Sequence, residues 1–490
     1  MSTGHVIAID QGTTNTKAML VDASGTVLAK AYAPLKSHYP RPSWAEQSAD
    51  DIWVSVQTVI AEIRSAVSID IDGIGIANQR ETLVVWDSTT GQPIAPAILW
   101  QCRRTAAACA QLMRDGANPA VTKSTGLSIN ALFPASKLAW VMENIAGAKS
   151  LAAGGQLRAG TVDSWLLYRL TGGQTFATDH SNASRTQLFN TASLTWDDAL
   201  CDLFGVPVSA LPAPRPSDSL FGYTADGTTS LGAGIPIVAM MGDSHAALYG
   251  HDVRKPGLVK ATYGTGSSLM TLTSKRIMSG HGLSSTIAWS DRNGTAYALE
   301  GNITVSAQAA AFVAKMLGLA DAQALSALAQ TVEDSAGVTF IPALAGLGAP
   351  HWNDSATGTI SGMTLATQPA HLAHATFEAI TLQIADVFFA MEKDMGSPLT
   401  GLLADGGASA NSFLMQLQSD ILDRPVSRGH QAEVGAIGVA RMALQSLGNA
   451  ANAAGPAETQ RFMPGRLESC TRDDIKRRWT EAIARATAQA

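Results

Sequence analysis

The 490-residue chain predicts an α/β fold of two similar domains. Three observations carry that expectation. Strand-like and helix-like patterns alternate along most of the sequence, as α/β architectures require. A strand–polar turn–strand unit, IDQGTTNTKAMLVD from position 9, returns in the second half as TYGTGSSLMTLTS from position 262, the trace a duplicated fold leaves. The length allows two to four compact units at roughly 150 residues each. GHDVRKPG at Gly250–Gly257 combines a proline, two glycines and basic residues, marking a boundary between domains at 1–250 and 251–490.

The elements follow in order. His5–Asp10 reads as a short apolar strand, Gln11–Thr16 as a polar turn and Lys17–Asp22 as a second strand. After the turn Ala23-Ser24-Gly25, Val27–Ala31 completes an antiparallel meander. Ser48–Ser65 has helical spacing through Ile52, Val56, Val59, Ile60 and Ile63, and Ile71–Ala77 reads as a buried strand. Ile235–Met241 is a further apolar strand. In the second half, Leu258–Tyr263 and Leu269–Thr273 are strands about the Gly264–Ser268 turn. Ala370–Met395 is a long amphipathic helix. The strand Leu402–Ala404 runs into Asp405-Gly406-Gly407-Ala408, which opens a helix at Asn411–Leu422, and Asp473–Ala490 is helical.

Composition narrows the function by exclusion. The charged fraction is 15% and the hydrophobic fraction 46%, which argues against disorder. A net charge of −6 supplies no attraction to nucleic acid or an anionic membrane. No apolar run approaches the roughly 18 residues of a membrane span, and MSTGHVIAID lacks a signal-peptide pattern. Cys102, Cys109, Cys201 and Cys470 form no CxxC pair, so neither a zinc site nor a disulfide framework is expected. A cytoplasmic enzyme is the simplest reading.

No Walker A sequence and no strand-to-helix GxGxxG occurs, so neither a P-loop nor a Rossmann site is expected. Three Gly/Thr/Ser turns remain, at Gln11–Thr16, Gly264–Ser268 and Gly406–Asn411. Each can offer amides and small hydroxyls to a polyphosphate; singly, each reads better as a tight turn. Together they point to a nucleotide held between lobes. Asp10, Asp243 and Asp405 end strands beside turns, where carboxylates can serve Mg²⁺ or cap local backbone. Gly242-Asp243-Ser244 also occurs in GDSL-type serine esterases, but no DxxH follows it. His371, His374 and Glu378 have metal-ligand spacing on the long helix; without a further ligand they read as a solvated face. Arg80, Glu81 and Trp100 could orient a polyhydroxylated ligand, or be a surface ion pair and a core indole.

AIDQGTTNTKA, IGIANQRETLVVWD, PAILWQCRRT, GTVDSWLLYRLTG, TDHSNASRTQLFN, GDSHAALYG, TYGTGSS, GLGAPHWN and ADGGASANSFLMQLQSDIL together resemble the FGGY carbohydrate kinases, with the glycerol kinases as the nearest branch. The resemblance runs from residue 5 to about 480 in the family's order. It implies two ribonuclease-H-like (actin/hexokinase-type, ASKHA) domains with an active-site cleft between them. ATP would lie mainly on the C-terminal domain and the polyol on the N-terminal one, with a homodimer or homotetramer as the assembly. By position, the resemblance assigns Thr13, Thr14, Asn15 and Lys17 to the phosphates, Lys17 replacing the usual arginine. Thr265, Gly407 and Asn411 would contact ATP, Asp10 would hold Mg²⁺ and Asp243 would be the catalytic base. Arg80, Glu81, Trp100 and Asp243 match polyol-binding positions.

Several positions depart from the glycerol kinases. Leu132 stands in place of Tyr, Ser244 of Gln and Ser268 of Phe. Exchanging Gln and Phe for serines frees volume and adds hydroxyl donors and acceptors, which suits a four- or five-carbon polyol or ketose, phosphorylated on a terminal hydroxyl. A glycerol kinase proper and a xylulokinase-like ketopentose kinase are the alternatives, and from another class a non-catalytic nucleotide-binding sensor, against which Asp10 and Asp243 both speak. The first family signature breaks at Leu132, while Lys137 and Trp140 keep it. Ala307 and Ala311 replace a Gly and a Gln near the adenine side. Gly232-Ala233-Gly234 lacks the arginine through which glycerol kinases bind fructose 1,6-bisphosphate, so no inhibition by that sugar is expected.

Overall fold

The computed structural model describes residues 4–429, 433–449 and 459–488; the end of the expected C-terminal helix, at 489–490, lies outside them. The chain forms two compact units. The first holds the chain to Asp252, the segment Ser285–Ala298 and residues 433–449; the second holds Val253–Ser284, 299–429 and 459–488.

In the first unit the strand Val6–Gln11 pairs antiparallel with Asn15–Val21, which pairs antiparallel with Val27–Pro34. On its other side Val6–Gln11 pairs parallel with Gly73–Asn78, and that strand parallel with Pro236–Gly242. Gly222–Tyr223 closes the far edge antiparallel. The second strand starts two residues earlier than its hydropathy predicts because Thr16 pairs with Gln11, is buried, and shares a 2.6 Å hydrogen bond with Ser55. The helix Ala49–Ala66 covers one face; Ser48 caps it by accepting from the Asp51 amide, and Ile52, Val56, Val59, Ile60 and Ile63 pack on Ile7, Ile9, Leu20 and Ile74.

Close glycine contacts seat the helix Val434–Ser446 in this unit. A Cβ on Gly438 would fall 1.8 Å from the Ala246 carbonyl oxygen, and one on Gly250 2.3 Å from that of Val434. Only bare backbone lets this helix lie against Asp243–Gly250. That approach brings the helix start to the carboxyl ends of the central strands, the usual ligand edge of an α/β sheet.

The second unit repeats the pairing pattern. Leu258–Tyr263 pairs antiparallel with Ser267–Thr273 and parallel with Gly401–Asp405; Gly401–Asp405 pairs parallel with Val426–Gly429, and Val426–Gly429 antiparallel with Thr459–Phe462. The repeated hairpin in the sequence is therefore the first two strands of two equivalent sheets. Pro369–Met395 is the central helix, burying Ile380, Ile384, Val387 and Phe388. His374 and Glu378 are buried on this helix, 3.3 Å apart, with the His374 ring edge-on to Phe413. The expected solvated face is thus corrected there: the neighbouring helix Ser412–Leu422 covers it, a tertiary contact that helical spacing does not reveal.

Candidate active site

In the first unit, Asp10 lies near the end of the central strand, opposite Lys17 on its antiparallel partner. The turn between them is tight, the Gly12 amide donating to the Asn15 carbonyl at 2.9 Å. Burial and the nearby Asp243 charge push the Asp10 carboxyl up to about 6; Lys17 opposes the shift and Glu433 adds to it. Glu433 is itself held by Lys30 at 3.1 Å and by the Tyr32 hydroxyl at 2.8 Å. A Cβ on Gly435 would come 3.3 Å from Asp10 Oδ2, so the helix start crowds this carboxylate with little side-chain bulk.

Asp243 opens the helix Asp243–Gly250 directly after the strand Pro236–Gly242. Its Oδ1 accepts from its neighbour's Ser244 amide at 2.6 Å and faces Arg80 Nε at 3.2 Å. Arg80 is almost wholly buried while Asp243 keeps 40% of its side-chain exposure. One carboxylate oxygen is thus fixed and the group still meets solvent. Gly242 makes this possible, because a Cβ there would lie 2.7 Å from Arg80 Cγ and Cδ. Behind the strand end, Ser181 Oγ accepts from the Gly242 amide at 3.0 Å, and Asp179 gathers Ser181, Asn182 and Ser217.

Arg80 and Glu81 do not pair with each other, and neither is at the surface. Glu81 has a left-handed backbone, φ 59°, a strained state for a non-glycine residue. Its Oε1 accepts from the buried Arg185 Nε at 2.7 Å. Trp100, half-buried, donates its indole N–H to Thr13 Oγ1 at 3.0 Å. Thr13 Oγ1 in turn reaches Gln79 Oε1 at 3.3 Å. The structure therefore brings Asp10, Thr13, Lys17, Arg80, Glu81, Trp100 and Asp243 to one edge of one sheet. Thr14 and Asn15 lie on the same turn, Thr14 exposed and Asn15 half-buried. Leu132 is half-buried just before the helix Pro134–Asn144, and Ser244 sits in the first turn after Asp243.

In the second unit, Thr265 is exposed at the tip of the Tyr263–Ser267 turn, and its carbonyl accepts from the Ser306 amide at 2.9 Å. Ala307 binds the other side of that turn, its amide donating to the Gly264 carbonyl at 3.1 Å; Ala311 lies on the helix that follows, Gln308–Met316. Ser268 donates to Glu300 at 3.1 Å. Gly407 has open space where a Cβ would point, whereas a Cβ on Gly406, φ 86°, would strike the Tyr263 carbonyl at 2.6 Å. Gly407 thus starts a short 3-10 turn beside the sheet end. Asn411 caps the helix Ser412–Leu422 by accepting from the Leu414 amide at 3.2 Å, and its Nδ2 donates to Ser326. Its backbone is committed as well, the amide donating to the Ala408 carbonyl and the carbonyl accepting from the Met415 amide, each at 3.1 Å.

Sequence reasoning missed five residues of the first-unit site. Gln79 and Gln47 are buried and mutually bonded at 3.0 Å, and Gln47 also donates to the Thr13 carbonyl at 2.6 Å. Arg185, Glu433 and Gly435 arrive from distant sequence. Only NQRET and NASRT, quoted above for resemblance, carried a signal for Gln79 and Arg185.

The oxygen-rich surroundings of Asp10 suit a hard divalent cation, which takes one or two carboxylates and fills its remaining positions with phosphate and water. The charge that Asp243 and Glu433 impose on a desolvated Asp10 is the excess a cation would neutralise. Among the described residues no group of three or more His, Cys, Asp or Glu is placed to hold a metal ion.

The FGGY carbohydrate kinase N-terminal domain model matches residues 5–250 and the C-terminal domain model residues 259–447. An apulose kinase of Pectobacterium atrosepticum is 44% identical, with 99% of each chain covered. A glycerol kinase of Symbiobacterium thermophilum is 43% identical, also over 99% of both chains. The Plasmodium falciparum glycerol kinase structure with ADP superposes with a TM-score of 0.92 at 29% identity, covering 99% of this chain and 98% of the other. A xylulose kinase structure from Lactobacillus acidophilus, at 21% identity, shares the fold with a TM-score of 0.90 over 99% of each chain. The chain belongs to the FGGY family of carbohydrate kinases and is a phosphotransferase of that class.

Proposed function

We propose that the protein transfers the terminal phosphoryl group of ATP to a terminal hydroxyl of a four- or five-carbon polyol or ketose, in the cytoplasm. The observation that carries the reading is the state of Asp243: one carboxylate oxygen fixed by Arg80 Nε and the Ser244 amide, the group still open to solvent. A carboxylate so held can accept a hydroxyl proton as the oxygen attacks phosphorus. Most of the barrier in phosphoryl transfer is met by alignment and charge neutralisation, and the neighbouring residues supply both. Glu81 accepts sugar hydroxyls, Arg80 donates, and Trp100 packs on C–H groups. Thr13, Thr14, Asn15 and Lys17 hold phosphate oxygens, and Thr265, Gly407 and Asn411 contact ATP. Asp10 would hold Mg²⁺, which supplies charge neutralisation when bound.

The acceptor length rests on Leu132, Ser244 and Ser268, which replace larger or differently bonding residues of the glycerol kinases. A sugar kinase, the apulose kinase, stands among the relatives at 44% identity, in keeping with that reading. Relatives named glycerol kinase at about the same identity favour glycerol as the second reading. An ADP-release screen across C3 to C6 polyols and ketoses decides between them: the reading requires the highest kcat/KM on a four- or five-carbon acceptor, and a glycerol maximum overturns it.

A further inference from the structure

Lys137 is fully buried on the helix Pro134–Asn144, and among the described residues its amine pairs with no carboxylate. Its Nζ donates instead to two backbone carbonyls, that of Leu132 at 2.7 Å and that of Glu81 at 2.9 Å. Helical side chains lean back toward the N-terminus, and Lys137 folds over the start of its own helix to reach Leu132. From there it crosses to a segment 56 positions away in sequence.

The two carbonyls belong to two residues assigned to the proposed acceptor pocket, and one amine holds both. Glu81 is the hydroxyl acceptor, and Leu132 is where the chain departs from the glycerol kinases. Glu81 also carries the left-handed backbone described above, which persists only when its surroundings hold it. Its side chain is held by Arg185 and its carbonyl by Lys137. The Ala135 amide donates to the Thr186 carbonyl at 3.0 Å, so the start of the Lys137 helix is tied to the residue beside Arg185. The contacts close a ring: Glu81 to Arg185, Thr186 to Ala135, and Lys137 back to Glu81.

We propose that Lys137 is a positioning residue for the acceptor pocket, fixing the distance and orientation between the Glu81 carboxylate and the Leu132 wall. It touches neither substrate; it acts through the two backbones it bridges. The inference rests on the proposed function, since it assigns Glu81 and Leu132 to the acceptor. Burial pushes the Lys137 amine down to about 7, against the opposing pull of Glu81. A neutral amine keeps two N–H donors, enough for both carbonyls, so the bridge stands in either protonation state.

The test compares wild type with Lys137→Met, which keeps the length and removes the donors, and Lys137→Gln, which keeps a shorter donor should the first fail to fold. The steady-state KM for ATP and for the best acceptor of the screen are measured separately, with thermal unfolding as a check on folding. A positioning role raises the acceptor KM tenfold or more in a folded variant and leaves the ATP KM within twofold. An acceptor KM within twofold, or equal rises in both constants, overturns it. A wild type inert toward every acceptor removes the proposed function and the inference with it; an active wild type whose folded variants lack the split overturns the inference alone.

Discussion

The indole nitrogen of Trp100 lies 3.0 Å from Thr13 Oγ1. This bond joins a residue proposed to pack on the sugar to one proposed to hold phosphate. Gln79 extends the connection, accepting from Thr13 and Thr82 and donating to Gln11 and Gln47. All four hydrogen-bonding positions of a buried amide are thereby used, so the phosphate turn and the Arg80–Glu81 segment are held as one body.

Trp100→Phe tests that link. Phenylalanine keeps an apolar ring and removes the donor, and a hydrogen bond of this kind contributes about 0.5–1.5 kcal/mol. The expected outcome is a fall of roughly 2- to 12-fold in kcat/KM for the acceptor, read by steady-state kinetics. An unchanged value would show that the Trp100–Thr13 bond has no part in turnover.

Acceptor length is tested by restoring what the glycerol kinases have. Ser244→Gln with Ser268→Phe should raise the glycerol preference, measured as the ratio of kcat/KM for glycerol to that for the best five-carbon acceptor, by about tenfold or more. One carbon's worth of pocket selectivity is on the order of 1–3 kcal/mol. A ratio that does not move contradicts the assignment of these two serines.

Fructose 1,6-bisphosphate should leave turnover unchanged at millimolar concentration, because Gly232-Ala233-Gly234 offers no guanidinium to its phosphates. The three residues lie in a surface turn, two of them with positive φ. Saturable inhibition in the same ADP-release assay would count against this.

A buried acid behind the site predicts a pH dependence of stability. Asp163 accepts from Thr161 at 2.5 Å and Thr178 at 2.6 Å. Burial and the Asp179 charge raise its carboxyl to about 7 from 3.8, the two hydroxyls opposing the shift. A folded-state value above the unfolded one contributes stability that is complete below about pH 3.8 and lost as pH rises through 7. Wild type should therefore lose stability relative to Asp163→Asn between pH 4 and 8, by an amount on the order of 4 kcal/mol at most. Urea unfolding of both proteins across that range checks the sign, and a constant difference would refute it.

Much of this was legible in the sequence where a local pattern encodes it. The two hairpins were visible because apolar strands flank Gly/Thr turns, and Asp243 because an apolar strand ends just before it. Their boundaries moved where side-chain bonds, such as Thr16 to Ser55, extended a strand beyond its hydropathy. The short elements between Arg80 and Gly222 left little pattern, since strands of two to four residues fall below any periodicity. Distant arrivals were invisible for a different reason. Glu433 and Gly435 reach Asp10 because glycines at 438 and 250 let one helix lie against another, a relation between positions 188 apart in number. The burial of His374 and Glu378 leaves no local pattern for the same reason, the covering helix being a later element.

The central claim is that Asp243 takes the acceptor proton, and Asp243→Asn tests it most directly. Asparagine keeps the shape and an acceptor oxygen for Arg80 and the Ser244 amide but cannot take up the proton. General-base catalysis contributes about 10²–10⁴ in rate. The account predicts that kcat with the best acceptor falls by at least 10², while the ATP dissociation constant measured by calorimetry stays within threefold. A variant that keeps kcat within a few-fold of wild type would contradict it.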